Sequence, residues 1–204
     1  YKEIAAFYNG AKNYEKAIEY YEKVIKREKN PGLQDIVNLS LPLYNVANRI
    51  FPTGADSSAL RQKKREYFMR ADELYKQMLE RKPDYLYAHA QRAKANYYAY
   101  TREEAMANGL AIPLMENYVK LAEEDKAPMD EAKKSNLKSF YQILGAYSVI
   151  TLKDDAKAKE WFTKLITIDP GNKVADDFLN PKPETPAAPA TPAKTPAKAP
   201  AKKA

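Results

Sequence analysis

One pattern of side chains recurs along the chain and limits the folds that the chain can adopt. A small residue is followed three and four positions later by two large side chains, and seven and eight positions later by two more apolar ones. These spacings place all five side chains on one stripe of an α-helix. A proline closes the pattern and prevents the helix from continuing. In the last copy these residues are Ala158, Trp161, Phe162, Leu165, Ile166 and then Pro170.

The same stripe begins at three other alanines, and a proline follows each copy. Four copies of one stripe indicate an internal repeat. Another apolar helical segment precedes each copy, so the repeated unit is predicted to be a pair of helices. The other copies consist of Ala17, Tyr20, Tyr21, Val24 and Ile25; Ala71, Leu74, Tyr75, Met78 and Leu79; and Ala111, Leu114, Met115, Tyr118 and Val119.

The segment before the first stripe has a second pattern. A large residue is followed three positions later by an apolar residue, then directly by a small residue, and three positions after that by a tyrosine. The chain has this pattern in Tyr1, Ile4, Ala5 and Tyr8, and the last pair has the step Leu144–Gly145. Together with the second-helix stripe, the pattern resembles the tetratricopeptide repeat. The resemblance covers residues 1–179 and implies an all-α fold, a right-handed α-α solenoid of about four helix pairs. The pairs are expected at about 1–31, 33–83, 85–127 and 130–170, with a capping helix at 172–179.

Several features depart from regular repeats. The alanines that begin the stripes lie farther apart than the usual repeat length of about 34 residues, which indicates degenerate repeats with inserted loops. Pro42 is expected to kink or shorten the first helix of the second pair. The insertion at 51–60 is a candidate functional loop or a plain spacer, and Asp56 or Ser57 can cap the helix after it. Val174, Phe178 and Leu179 are expected to form the apolar face of the capping helix.

Residues 180–204 differ in composition from the rest of the chain. They are rich in proline, alanine and lysine and contain no aromatic or branched aliphatic side chain after Asn180. Such a segment cannot bury enough apolar surface to offset the entropy of ordering, so it is predicted to be disordered with a polyproline II bias. It is either a solubilising spacer or a weak tether to nucleic acid, an acidic polymer or a membrane. The lysines are Lys182, Lys194, Lys198, Lys202 and Lys203.

Composition excludes several classes of function. The net charge is +7, much of it in the tail, and no apolar run is long enough for a transmembrane helix. The chain has no cysteine, which excludes disulfides and thiolate metal sites. The single histidine, His89, is interpreted as a partly buried helix residue. Because neither a glycine-rich phosphate loop nor a cluster of metal ligands is found, we expect a non-enzymatic protein with no cofactor and no metal.

The resemblance implies a binding surface on the first helices, which line the concave side of such solenoids. Some tetratricopeptide repeats clamp the C-terminal carboxylate of a partner with basic and asparagine side chains. Lys2 and Asn38 match two clamp positions, but Ala6 replaces a required asparagine and Lys94 is not at a matching basic site. The sequence therefore disfavours a carboxylate clamp. The candidate partner-binding residues are Lys2, Asn9, Asn38, Asn45, Gln91, Lys94, Tyr98 and Gln142.

Three functional hypotheses remain. The first is a scaffold that holds a peptide or protein partner in the concave groove, with no small-molecule substrate. The second is a tether to an anionic surface through the tail, and the third is an accessory repeat segment of a larger protein with an upstream functional domain. The exposed apolar pattern at Tyr1 and Ile4 leads us to expect further repeats or a targeting segment before it. A similarity of residues 92–97 and 109–111 to bacterial envelope-associated repeat proteins favours the periplasm or cell envelope over the cytoplasm.

Overall fold

The computed structural model describes residues 1–54 and 57–181, and within these ranges the chain folds into ten α-helices and no β-strand. A π-helical turn, Ser148–Leu152, directly follows the eighth helix. The helices are α1 (Lys2–Gly10), α2 (Tyr14–Arg27), α3 (Leu33–Arg49), α4 (Ser57–Arg81), α5 (Leu86–Tyr98), α6 (Arg102–Asn108), α7 (Ile112–Glu124), α8 (Glu131–Tyr147), α9 (Asp155–Ile168) and α10 (Lys173–Leu179).

The helices pack as consecutive pairs. The pairs are α1 with α2, α3 with α4, α5 with α7, and α8 with α9, while α10 packs on α9. Successive pairs also contact each other, through α2 and α3, α4 and α5, and α7 and α8. The predicted all-α solenoid of helix pairs with a short C-terminal helix is therefore confirmed. The short helix α6 lies between the two members of the third pair.

The repeated stripe forms the core of each pair. Ala17, Ala71 and Ala158 are completely buried. The second large residue of each copy is also buried, as in Tyr75 and Phe162. The stripe is therefore a packing motif, in which Tyr21, Tyr75, Tyr118 and Phe162 are buried in the core.

Helices α8 and α9 approach each other closely at Gly145 in α8. A Cβ atom built on Gly145 would lie 2.7 Å from Cε1 and Cζ of Phe162 in α9. Because real Cβ atoms do not approach other carbons so closely, the absence of a side chain at Gly145 lets the two helices pack against each other. Phe162 is itself held in place, since its ring centroid lies 4.9 Å from that of Phe178 in α10.

The buried side chains form two clusters that meet at α5. The first cluster contains residues of α1 to α5, and the second contains residues of α5 to α10. Ala88 and Ala95 of α5 belong to the first cluster, whereas Ala90 and Ala93 belong to the second. Because alanines cover both faces of α5, neighbouring helices approach it closely on both sides.

Two of the expectations for α3 and α4 are corrected by the structure. Pro42 does not shorten α3, since the helix continues from Leu33 to Arg49 with the proline buried inside it. Burial of Leu39, Leu43 and Val46 offsets the loss of one backbone hydrogen bond. The extra length of the second pair lies mainly in α4, which has 25 residues, and residues 57–60 are its first turn rather than a loop.

Two further positions differ from expectation. Val174 was predicted to cover the core but is 48% exposed, while Ala175 is buried in its place. The reason is helical spacing, because Ala175, Phe178 and Leu179 share the face that packs on the second cluster. Ala111 is the N-cap residue of α7 rather than a residue within the helix. Asp56 and most of the predicted disordered tail, residues 182–204, lie outside the described residues.

Candidate partner-binding groove

A cleft lies between α5 and α8, bordered by α6 and α10, and has a volume of about 380 Å³. It lies where the first helices of consecutive pairs meet, which is the surface that helical solenoids use to hold extended partners. Aromatic, aliphatic and polar side chains alternate around it. The lining residues are Tyr97, Tyr98, Arg102, Met106, Ser139, Gln142, Ile143, Ala146 and Val174.

The structure brings two of the predicted residues, Tyr98 and Gln142, together in this cleft. Tyr98 is 39% exposed, and its ring packs edge-on against that of Tyr97, with 5.3 Å between the ring centroids. Burial raises the pKa of the Tyr97 hydroxyl. Tyr98 thus presents apolar area and a hydroxyl group to the cleft, and the exposed amide of Gln142 adds a donor and an acceptor.

Helix α6 separates this cleft from a second one of about 490 Å³, and Arg102 and Met106 line both. A capping box fixes the start of α6, where Thr101 N donates to Glu104 at 3.0 Å and Glu104 N donates to the Thr101 hydroxyl at 3.2 Å. The Thr151 hydroxyl also donates to the backbone oxygen of Met106, at 3.3 Å. Arg102 was not among the predicted residues, although Thr101-x-x-Glu104 is a helix-start signal that places Arg102 in the first turn of a helix.

Two other predicted residues, Gln91 and Lys94, lie on the same face of α5 as Tyr98, seven and four residues before it. Lys94 is half-buried, and burial lowers the pKa of its ammonium group. Among the described residues no carboxylate forms an ion pair with Lys94. The Oε1 atom of Gln91 is buried and accepts no hydrogen bond from the described part of the chain. This face of α5 therefore carries polar groups that the fold leaves uncompensated.

The predicted residues of α1 are engaged differently. Lys2 forms ion pairs with Glu28 and Asp35, both at 2.8 Å. Its hydrogen bond with Asp35 raises the pKa of Lys2 and lowers that of Asp35. The ammonium of Lys2 thus links α1 to α3 within the chain. Asn9 is half-buried, and its Oδ1 atom is buried without a donor among the described residues.

The predicted residues of α3 lie outside the cleft as well. Asn38 accepts a hydrogen bond from Gln34 Nε2 at 2.9 Å. Asn45 is half-buried, next to Tyr44, whose pKa burial raises to about 12. Neither asparagine, nor Lys2 or Asn9, lines the cleft between α5 and α8. The predicted set therefore does not form one continuous site, and the cleft contains only its Tyr98 and Gln142.

His89 has a structural environment. Its Nε2 atom lies 2.7 Å from the backbone oxygen of Pro83, and its Nδ1 atom lies 3.2 Å from Asn117 Nδ2. The ring thereby connects α5 to the preceding turn and to α7. Within residues 1–54 and 57–181, no three metal-binding side chains cluster together. None of the helices described has both the length and the apolar composition needed to cross a membrane.

Comparison with known proteins identifies the repeat. A family model described as "Tetratricopeptide repeat" matches residues 3–31 and 137–172. The first match covers most of α1 and α2, and the second runs from the middle of α8 through α9. Both stretches are therefore similar to tetratricopeptide repeats. The resemblance recognised from Tyr1, Ile4, Ala5 and Tyr8 is confirmed, and such repeats commonly mediate protein–protein interaction.

One solved structure is similar to this chain. It is the C-terminal part of a TPR repeat-containing protein from Cytophaga hutchinsonii, with 17% sequence identity and a TM-score of 0.47. The similarity covers 88% of this chain and 99% of that chain. No curated protein matches the sequence.

Proposed function

We propose that the chain is a non-enzymatic scaffold that binds a peptide or protein partner in the cleft between α5 and α8. The observation that carries this proposal is the cleft itself, in which Tyr98 and Gln142 from the first helices of two consecutive pairs line one opening. Its volume of about 380 Å³ accommodates a few side chains of an extended segment. The tyrosine pair supplies rigid contact area, and Ser139 and Gln142 supply hydrogen bonds that a peptide backbone can use.

Site-specific photo-crosslinking tests this proposal. A photo-reactive amino acid at Tyr98 is expected to capture one defined partner segment, which mass spectrometry then identifies. The same photo-reactive amino acid at Tyr67 serves as the matched control, because Tyr67 lies on α4, the second helix of its pair, and outside the cleft. The captured segment, made as a peptide, should bind the unmodified protein and lose affinity for the Tyr98→Ala/Gln142→Ala variant.

Two results would contradict the proposal. Crosslinks at Tyr67 that equal those at Tyr98 would show that capture is non-specific. An identified peptide that binds the double variant as tightly as the unmodified protein would show that the partner lies elsewhere. Circular dichroism of the variant provides the folding control.

The tether hypothesis rests on residues 182–204, which lie outside the described residues. We retain as a prediction that deletion of residues 181–204 abolishes any salt-dependent binding to DNA or lipid. An accessory role in a larger protein and a periplasmic or cell-envelope location also remain predictions. None of these depends on the cleft, so each is tested independently of it.

A further inference from the structure

The cleft and the adjacent face of α5 carry positive charge that the fold does not neutralise. Lys94 is half-buried in α5, one helical turn before Tyr98. Arg102 lines the clefts on both sides of α6. Neither side chain forms an ion pair or a side-chain hydrogen bond with the described residues. A half-buried cation without a counter-charge is destabilising, and an anionic partner would offset that cost.

Several basic residues of the first and last pairs are engaged within the fold. Lys2 pairs with Asp35 and Glu28, and Lys157 pairs with Glu116 at 2.9 Å. Lys133, which is buried, donates to the Asp125 carboxylate at 3.0 Å. Lys94 and Arg102 differ from these because no acidic residue of the described chain neutralises them. The residues that line the first cleft include no Asp or Glu, and Glu103 lines the second cleft only.

The surroundings of the two cations are apolar on one side. Ile143, Ala146 and Val174 line the cleft, and Val174 is 48% exposed. Nucleic acid is held by dense basic grooves with stacking platforms, whereas the cleft and the neighbouring face of α5 offer one cation each, Arg102 and Lys94, beside aliphatic side chains. This surface therefore fits a segment that presents acidic and apolar side chains along the same side.

We infer that the partner segment is an extended acidic peptide, whose carboxylates pair with Lys94 and Arg102 while an apolar side chain packs between Tyr98, Ile143 and Val174. This inference rests on the proposed function and adds the chemistry of the partner. The carboxylates belong to side chains within the segment, so a free C-terminus is not required.

The spacing of the receptor groups agrees with an extended peptide. Residues four apart on a helix have Cβ atoms about 5–6 Å apart, which is the relation between Lys94 and Tyr98. Side chains on the same side of an extended chain are two residues apart, about 6.6 Å at a rise of about 3.3 Å per residue. A peptide whose acidic residue pairs with Lys94 thus places its next side chain on the same side beside Tyr98.

Selection from a library of short random peptides with amidated C-termini tests this inference. Peptides are selected on the unmodified protein after removal of those that bind the Tyr98→Ala/Gln142→Ala variant. The expected result is enrichment of Asp or Glu two residues from an aliphatic or aromatic residue. Binding of the selected peptides should weaken as salt is raised to about 0.15 M, where the Debye length is about 8 Å.

Charge-neutralising variants provide the second readout. Lys94→Gln and Arg102→Gln are each expected to weaken binding of a selected acidic peptide about tenfold, since each variant removes a charge-assisted hydrogen bond to a peptide carboxylate. Lys120→Gln is the matched control, because Lys120 is an exposed lysine of α7 outside both clefts. A peptide in which Gln replaces each Glu should lose affinity for the unmodified protein and show little further loss with either variant.

The possible failures are distinguishable. Enrichment of peptides without acidic residues would overturn the acidic partner. The same conclusion would follow if Lys94→Gln and Arg102→Gln bound the selected peptides as tightly as Lys120→Gln does. Either result would leave the peptide-binding cleft intact. No enrichment over the Tyr98→Ala/Gln142→Ala variant would overturn the cleft proposal as well. If Lys94→Gln lowers the melting temperature, Arg102→Gln on the surface helix α6 decides the result alone.

Discussion

The contact between Gly145 and Phe162 shows how one residue sets the distance between two helices. Gly145 lies inside α8, where an alanine would be the better helix former by about 1 kcal/mol. The structure has no room for that alanine, because its Cβ would lie 2.7 Å from the Phe162 ring. Phe162 is buried and packs against Phe178, so the ring cannot move aside freely. Packing therefore outweighs helix propensity at this position.

We expect Gly145→Ala to lower the free energy of unfolding by about 1–2 kcal/mol, since overpacking costs about 1–3 kcal/mol and the gain in helix propensity is smaller. Urea denaturation followed by circular dichroism measures the change. Gly10→Ala is the control, because a Cβ on Gly10 meets nothing within 4 Å. Equal stability of the two variants would contradict the close approach of α8 and α9.

At the scale of helices, α1 and α3 are joined by charge as well as by packing. Asp35 is buried near the start of α3 and pairs with Lys2 of α1 at 2.8 Å. The hydrogen bond from Lys2 and a backbone hydrogen bond from Gly32 lower the pKa of the Asp35 carboxyl, although burial opposes them. Because the pKa is lower in the folded state, the resulting stabilisation is present above the unfolded pKa of about 3.9. It is lost as the pH falls through the folded pKa.

We therefore expect Asp35→Asn to be less stable than the unmodified protein at neutral pH and to lose less stability as the pH falls below about 4. Melting temperatures of both proteins, measured between neutral and acidic pH, give the stability difference at neutral pH and the stability that each protein loses in acid. Asp84→Asn is the control, since Asp84 is exposed and forms no ion pair with described residues. Parallel pH curves for Asp35→Asn and the unmodified protein would exclude this contribution.

Pro42 shows a helix that forms despite an unfavourable residue. A proline in a helix interior costs about 3 kcal/mol, through one missing hydrogen bond and a clash with the preceding turn. Burial of its ring recovers part of that cost, at about 0.8 kcal/mol per buried methylene group. The remaining stability of α3 comes from its buried neighbours Leu39 and Leu43.

We expect Pro42→Ala to raise the free energy of unfolding by about 1 kcal/mol, because the regained hydrogen bond outweighs the lost ring packing. Thermal and urea unfolding measure this change. Leu41→Ala, at the neighbouring exposed position, should change stability far less. A loss of stability in Pro42→Ala would mean that the shape of α3 around the proline is required for packing on α4.

The whole molecule is organised around two buried clusters that share α5. In a solenoid each repeat contacts only its neighbours, so stability is approximately a sum of local terms. Ala88 and Ala95 face one cluster while Ala90 and Ala93 face the other, and α5 is therefore the main connection between them. The proposed binding cleft lies on the α5–α8 side of this connection.

We expect a cavity in one cluster to destabilise that cluster more than the other. Leu43→Ala in the first cluster and Leu165→Ala in the second should each cost about 2–5 kcal/mol locally. Native-state hydrogen exchange should show faster exchange in α3 and α4 for the first variant, and in α8 and α9 for the second. Equal acceleration throughout the described helices would show instead that the chain unfolds as one cooperative unit.

The sequence by itself determined the helix pairs. Local periodicity carries that information, because the spacing from Ala158 to Ile166 defines a buried stripe wherever the helix lies. Tyr98 and Gln142 were candidates because the resemblance to the tetratricopeptide repeat implies a binding surface on the first helices. The physical basis of the helix prediction is short-range and concerns residues within a few helical turns.

Only the tertiary structure decided which polar residues remain open to a partner. Lys2 and Lys94 were both candidates in the sequence, but Lys2 pairs with Asp35 whereas no described carboxylate forms an ion pair with Lys94. Val174 is exposed at the cleft because α10 turns Ala175 towards α9 instead. Arg102 reaches the cleft because α6 packs against α5 and against the π-helical turn that follows α8. These outcomes depend on residues distant in the chain, whose proximity is set by how whole helices pack, and no local spacing encodes them.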